Sequence, residues 1–187
     1  MQSEKPPVYT KTGDDGSTGL LFGGRVSKAD PLIGICGTLD EAVAALGLAR
    51  ATSTDQHLLA AILDCQRGLF VAAADLAANP HARERLTPGV SLVTPEMTAT
   101  LEQTIDRLVS ERPLRPVFVV PGATLDSAAL DLARTVLRRA ERLIVAARET
   151  GTPIQSHVLA YVNRASDLLY VLARRAAREH DEPLSHQ

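Results

Sequence analysis

Tryptophan is absent from this chain of 187 residues, and aromatic side chains make up only 3% of it. A core without large rings must be built from Leu, Ala, Val and Ile, which favours closely packed helices over stacked sheets. Cysteine is scarce as well. Cys36 and Cys65 are the only two, too few for a disulfide framework and without partners at metal-ligand spacing. A reducing compartment, the cytoplasm, is the simplest expectation. No run of about 18 apolar residues is present, and Met1 to Pro7 is charged and Pro-rich without an apolar stretch, so neither a membrane span nor a leader is expected. Charge of one sign is not in excess. A net charge of −2, with no basic stripe and no interleaved aromatics, argues against nucleic acid or an anionic membrane as partner. Binding should be local and directed at a small molecule.

What the sequence does have is 45% hydrophobic residues, enough for one core of ordinary size, and one domain over residues 1–187 is expected. Its most unusual stretch is Thr10 to Lys28. Five glycines (Gly13, Gly16, Gly19, Gly23 and Gly24) permit close approach of backbone to ligand, Thr12, Ser17 and Thr18 add hydroxyls, and Lys11, Arg25 and Lys28 add positive charge. Successive N–H groups in such turns make anion-binding concavities, so the stretch is suited to a polyphosphate. Asp14 and Asp15 would repel phosphate unless Mg²⁺ bridged carboxylate and phosphate oxygens. The same residue types also make up ordinary exposed loops. The stretch is not a Walker A loop, because Leu20 follows Gly19 where that motif has Lys and no strand precedes it.

The remainder reads as five helices over residues 30–180, followed by a tail, 181–187, expected to be disordered. The first helix begins either at the Asp30-Pro31 cap or at the Thr38-x-x-Glu41 capping box and runs to about Ala51. The second spans His57 to Ala78 and stops before Asn79-Pro80. Residues 81–93, with Pro88-Gly89, read as a surface connection, and Thr94-Pro95-Glu96 opens a third helix to about Ser110. Val117 to Val120 is short and apolar, either a lone strand or a buried connector, and no second run of the kind is present to pair with it. The fourth helix covers about Leu125 to Glu149, and Thr152-Pro153 caps a fifth to about Arg178. Short joints imply an antiparallel bundle.

Three polar features stand out on these helices. Arg134, Arg138, Arg139 and Arg142 crowd the fourth, where like charges at i,i+4 cost a few tenths of a kcal/mol per pair. Either a salt-bridged surface, with Glu141 against Arg138, or a polyanion site would explain them. Asn163 and Asp167 sit one turn apart in the apolar fifth helix and need partners, structural or ligand-directed. Asp40, on an apolar helix, must meet a cation if buried, and the fourth-helix arginines are candidates.

Lys11 to Leu20, Arg25-Val26-Ser27-Lys28, Asp40-Glu41, Phe118-Val119-Val120-Pro121-Gly122, Arg134-Thr135 with Arg138 to Arg142, and Tyr161 to Arg164 with Ser166-Asp167-Leu168 follow one another along nearly the whole chain. Together they resemble the ATP:cob(I)alamin adenosyltransferases of the PduO type. The resemblance implies an all-α, five-helix antiparallel bundle with a glycine-rich N-terminal nucleotide-binding loop over residues 1–29. It implies a homotrimer with sites at subunit interfaces, and ATP, Mg²⁺ and cob(I)alamin as the reacting set. A cobalamin reductase and an adenosylcobalamin-dependent enzyme are the implied protein partners. Position by position, Thr10, Lys11, Thr12, Gly13, Asp14, Gly16, Ser17, Thr18 and Lys28 correspond to the triphosphate and Mg²⁺ grip. Arg138, Glu141, Arg142 and Asn163 correspond to ATP contacts on the neighbouring bundle. Phe118 corresponds to the aromatic that displaces the lower axial ligand of cobalamin, and Asp40 with Arg134 to a salt bridge between the first and fourth helices. The chain departs from the family pattern at Leu32, Gly34, Cys36, Val43, Ala123 and Asp131, where the family usually has His at the last position. A cobalamin escort or sensor with little turnover, and an all-α scaffold, are the other readings.

Overall fold

The computed structural model describes residues 8–184, so what was expected of residues 1–7 and 185–187 lies outside it. A hairpin comes first, β1 (Ser17–Gly19) against β2 (Arg25–Ser27), followed by α1 (Pro31–Thr52) and α2 (Gln56–Leu76). A 3-10 segment (Pro80–Arg85) leads to α3 (Pro95–Glu111), β3 (Val119–Val120), α4 (Leu125–Glu149), α5 (Ser156–Ala177) and β4 (Glu182–Pro183). The helices share one hydrophobic cluster, in which α1 packs on α4 and α2, and α5 on α4, α3 and α2.

Local chemistry sets the helix ends. Asp30 caps α1, accepting from Leu32 N–H at 2.9 Å, and Pro31 takes the first helical position. The alternative start at Thr38 is excluded: Thr38 is buried inside α1, its hydroxyl donating to Gly34 O at 2.9 Å. Asp55 caps α2 through His57 and Leu58 N–H. Thr124 and Ser127 form a reciprocal capping box on α4. Thr152-Pro153 does not cap α5, which starts only after Gln155, while Ile154 turns into the core and ties the linker down.

Three expectations are corrected. Residues 81–93 are not a bare surface connection, because Leu86 and Val93 are buried and the buried Asp75 accepts from both Arg83 Nη2 (2.5 Å) and Val93 N–H (2.9 Å). β3 is not alone. It pairs antiparallel with β4, Val119 opposite Pro183 and Val120 opposite Glu182. The tail is therefore ordered as far as Leu184, since strand pairing uses backbone groups and needs no second apolar run.

α1 is mostly apolar, with Asp40, Glu41 and Arg50 as its exposed charges. It buries Ile35, Leu39, Ala42, Leu46 and Ala49 yet leaves Leu48 54% exposed beside Gly37 and Ala44. By length and composition α1 and α2 could each cross a membrane, which the search for an unbroken apolar run did not foresee. Both contribute buried residues to the bundle core. Neither cysteine is in a disulfide; burial first, and Asp30 or Asp64 second, push the Cys36 thiol up to about 11 and the Cys65 thiol up to about 12.

Tyr161 of α5 fills the space over Gly68 of α2, where an added Cβ would lie 1.8 Å from the phenol oxygen. Gly68→Ala should therefore destabilise by about 1–3 kcal/mol through overpacking, read as a lowered denaturant midpoint with unchanged slope. A midpoint equal to that of the parent protein would show that Tyr161 has somewhere else to go. Native protein at pH 8 should also react with a disulfide reagent about 100-fold more slowly than unfolded protein, because both thiols are held neutral.

Candidate active site

The N-terminal stretch is a built structure rather than a limp loop. Its backbone makes two successive turns, Asp14 N–H to Lys11 O (3.3 Å) and Gly16 N–H to Gly13 O (3.2 Å), with Lys11 and Gly16 at φ 59° and 81°. Ser17 N–H and Oγ both donate to Asp15 Oδ1, at 2.9 and 2.8 Å. These bonds, with Arg25 behind them, hold the Asp15 carboxyl below the usual carboxylate range. Arg25 is itself engaged, donating to Ser17 Oγ and, at 2.5 Å, to Thr12 O. Lys28 Nζ lies against Gly13, 3.2 Å from where a Cβ would be, so a side chain there would displace the ammonium. Lys11, Asp14 and Lys28 are exposed, as are Thr10 and Thr12, whose hydroxyls bond each other at 2.8 Å. Thr18 sits half-buried in β1.

The hairpin is fastened to the end of α2. Leu21 N–H donates to Ala77 O and Asn79 N–H to Leu21 O, both at 2.9 Å. Asn79 works twice: its amide nitrogen donates to Gly23 O at 2.9 Å while its oxygen accepts from His81 N–H at 2.9 Å. Arg85 stacks over Phe22 at 4.4 Å from the ring centroid. Sequence reading missed Asn79 because Asn-Pro looks like a plain helix stop; the signal was the cap it offers the next turn.

On the bundle, α4 and α5 bring together three of the expected residues. Arg138 Nη1 lies 2.8 Å from Glu141 Oε2 and 3.3 Å from Asn163 Oδ1. Arg139 pairs instead with Glu41 of α1, and Arg142 is exposed without an ion-pair partner among the described residues. Asp167 turns to Arg164 at 2.5 Å. The Asp40–Arg134 bridge does not form within the chain. Asp40 is on the exposed side of α1, whereas Arg134 Nε lies 3.5 Å from the buried Asp131.

Phe118 is 83% exposed, at the opposite end of the bundle from the hairpin. The hairpin adjoins the start of α1 and the α4–α5 joint, where Asp30 and Gly151 line one 540 Å³ hollow, while Phe118 precedes α4. Beside it Pro121, Ala128, Leu132 and Thr135 form a shallow 260 Å³ depression, flanked by the exposed Leu125 and Val120.

The fold and these clusters define a helical-bundle protein with a glycine-rich, cation-bearing hairpin at one end and an exposed apolar shelf at the other. A family profile described as cobalamin adenosyltransferase matches residues 8–176. A corrinoid adenosyltransferase of Citrobacter freundii is 37% identical over 167 residues, 89% of this chain and 93% of that protein. One of Mycobacterium leprae is 38% identical over 177 residues, 93% of each. A solved PduO-type ATP:corrinoid adenosyltransferase from Lactobacillus reuteri, a Phe-to-His variant complexed with cobalamin and ATP, matches with a TM-score of 0.83 at 31% identity over 97% of each chain. The chain belongs to the cobalamin adenosyltransferase family.

Two variants separate the jobs of Asn79. Asn79→Asp keeps the acceptor that caps the 3-10 turn but cannot donate to Gly23, so hydrogen exchange over residues 19–25 should rise with stability within about 0.5 kcal/mol of the parent. Asn79→Ala should raise exchange and also cost about 1 kcal/mol. Unchanged exchange in both would show that the Leu21 backbone bonds alone hold the hairpin.

Proposed function

We propose that this protein transfers the 5′-deoxyadenosyl group of ATP to cob(I)alamin, giving adenosylcobalamin and triphosphate. The observation that supports it most directly is the pairing of a phosphate-type hairpin with the Arg138–Glu141–Asn163 cluster in a chain of this family. In the reaction the cobalt of cob(I)alamin forms a bond to C5′ of ATP while the C5′–O bond breaks and its electron pair leaves with triphosphate. No protein nucleophile is needed, because the corrinoid is the nucleophile. The protein orients the two substrates and stabilises the negative charge that develops on the leaving group.

Lys11, Lys28 and the hydroxyls of Thr10 and Thr12 hold the triphosphate. Asp14 is the carboxylate for Mg²⁺, since Asp15 is already committed to Ser17 and Arg25. Bound there, Mg²⁺ would neutralise phosphate charge. Arg138 and Arg142 face ATP, with Glu141 and Asn163 orienting Arg138. Phe118 and the apolar shelf beside it take the corrinoid face.

These parts cannot close around one reaction within one chain, because hairpin and shelf lie at opposite ends of the bundle. The site is composed between copies in a homotrimer, and the exposed Leu48 of α1, with the exposed Ala44 one turn before it, fits a contact between copies. Asp40 and Arg134 then meet across copies rather than inside one. Cob(I)alamin is a strong reductant, so a reductase must supply it and an adenosylcobalamin-dependent enzyme receives the product. Two neutral thiols, Cys65 buried and Cys36 half-buried, fit a reducing cytoplasm.

The test is an anaerobic assay with ATP, Mg²⁺ and chemically reduced cobalamin, run on the parent protein and Arg138→Ala. The parent should form adenosylcobalamin, and the variant should lose about 10²–10³-fold in kcat/KM with an unchanged melting point. Binding of both substrates without turnover would make the protein an escort. A fully active variant would return Arg138 to a surface ion pair.

A further inference from the structure

At the far end of the bundle from the hairpin, one buried arginine gathers three parts of the chain. Arg174 of α5 is 92% buried, and its guanidinium pairs with Asp131 of α4 through Nη2 and with Asp181 of the tail through Nη1, the latter at 2.5 Å. Both carboxylates are nearly buried, with side chains 5% and 8% exposed. The tail that Asp181 begins is β4. It pairs with β3, and beyond it Leu184 N–H donates to Phe118 O at 2.8 Å. Arg112 adds a weaker, exposed hold on Glu179 at 2.8 Å. Asp131 also faces Arg134 at 3.5 Å.

The segment these contacts restrain needs restraint. Arg112 to Thr124 contains Pro113, Pro116 and Pro121, cannot form a helix, and carries only two residues of strand. Phe118 is exposed and has no packing of its own to fix it. Its position is set through its backbone, and that backbone is bonded to the tail. An isolated two-residue strand pair is weak, so the tail must be anchored elsewhere, and a buried charge pair whose partners are both desolvated is a directional anchor.

We propose that Arg174 is a positioning residue: by holding Asp181 and Asp131 together it straps β4 onto β3 and so fixes Phe118 and the shelf beside it for the corrinoid. This rests on the corrinoid role proposed for Phe118.

Arg174→Met would strand two buried carboxylates and is expected to unfold, so the informative change is Asp181→Ala, which leaves Arg174 paired with Asp131. In the ligand-free protein, hydrogen exchange over residues 118–120 and 182–184 should speed up at least about tenfold, with the remaining core unaffected. In the assay, KM for cobalamin should rise about tenfold while KM for ATP stays within about twofold, and Asp181→Asn, which keeps an acceptor oxygen, should recover part of both effects. Exchange like that of the parent protein would overturn the strap whatever the activity. Faster exchange with an unchanged cobalamin KM, where Phe118→Ala raises that KM, would overturn the positioning role and leave the site intact. If neither Asp181→Ala nor Phe118→Ala moves the cobalamin KM, the role of Phe118 itself fails and the inference falls with it.

Discussion

The close seating of α1 against α4 sets the rest of the molecule. With few rings available, both helices bury small side chains among larger ones: Ala42 and Ala49 on α1, and Ala129, Ala133, Ala140 and Ala147 on α4, are all at most 4% exposed. Small residues let helix axes approach toward the lower end of the usual distance of about 8–10 Å and interlock in few rotations. Alternatives that turn α4 on its axis would bring arginine into this contact. The rotation of α4 is therefore fixed by its buried apolar face, and with it the arc that carries Arg134, Arg138 and Arg142.

That arc is compensated unevenly. Arg139 is neutralised from α1 by Glu41, Arg138 is shared between Glu141 and Asn163, and Arg134 leans toward Asp131. Arg142 has no ion-pair partner among the described residues. Exposed pairs of this sort contribute less than about 1 kcal/mol each, so stability alone does not explain four arginines in nine residues. A polyanion bound at the arc does, because charge removed from water by a ligand interacts far more strongly than charge facing solvent.

The helices were legible because their signals are local. α4 runs from Leu125 to Glu149 as its periodicity indicates, and Asp30-Pro31 starts α1 as a cap and a proline should. Features made by contacts distant in sequence were not. The tail strand joins residues about sixty apart through backbone bonds alone, and nothing in Glu182-Pro183 announces a strand. Asp75 with Arg83, and Arg174 with Asp131 and Asp181, are ordinary charges in sequence and become buried only once helices are packed. At the site, the Arg138–Glu141–Asn163 cluster came from spacing and resemblance together. The Asp40–Arg134 pairing does not form within the chain, where Asp40 is exposed and Arg134 leans to Asp131, because resemblance gives residue types and not their geometry.

The same geometry explains why association belongs to the proposed chemistry rather than decorating it. A helix of the length of α4 spans roughly 37 Å at 1.5 Å per residue, and the hairpin and Phe118 sit near its two ends. Bond formation at C5′ requires the reacting atoms within about 3–3.5 Å, and no side chain bridges such a span. A bent chain could bring the ends together only by breaking the seating of α4 that orients the arginines. In the homotrimer proposed above, copies set head to tail around a three-fold axis would solve the problem without distortion, since the hairpin end of one bundle would then lie beside the Phe118 end of the next. Association is then a requirement of the proposed reaction, because each copy carries both half-sites and can join neither to its own other half.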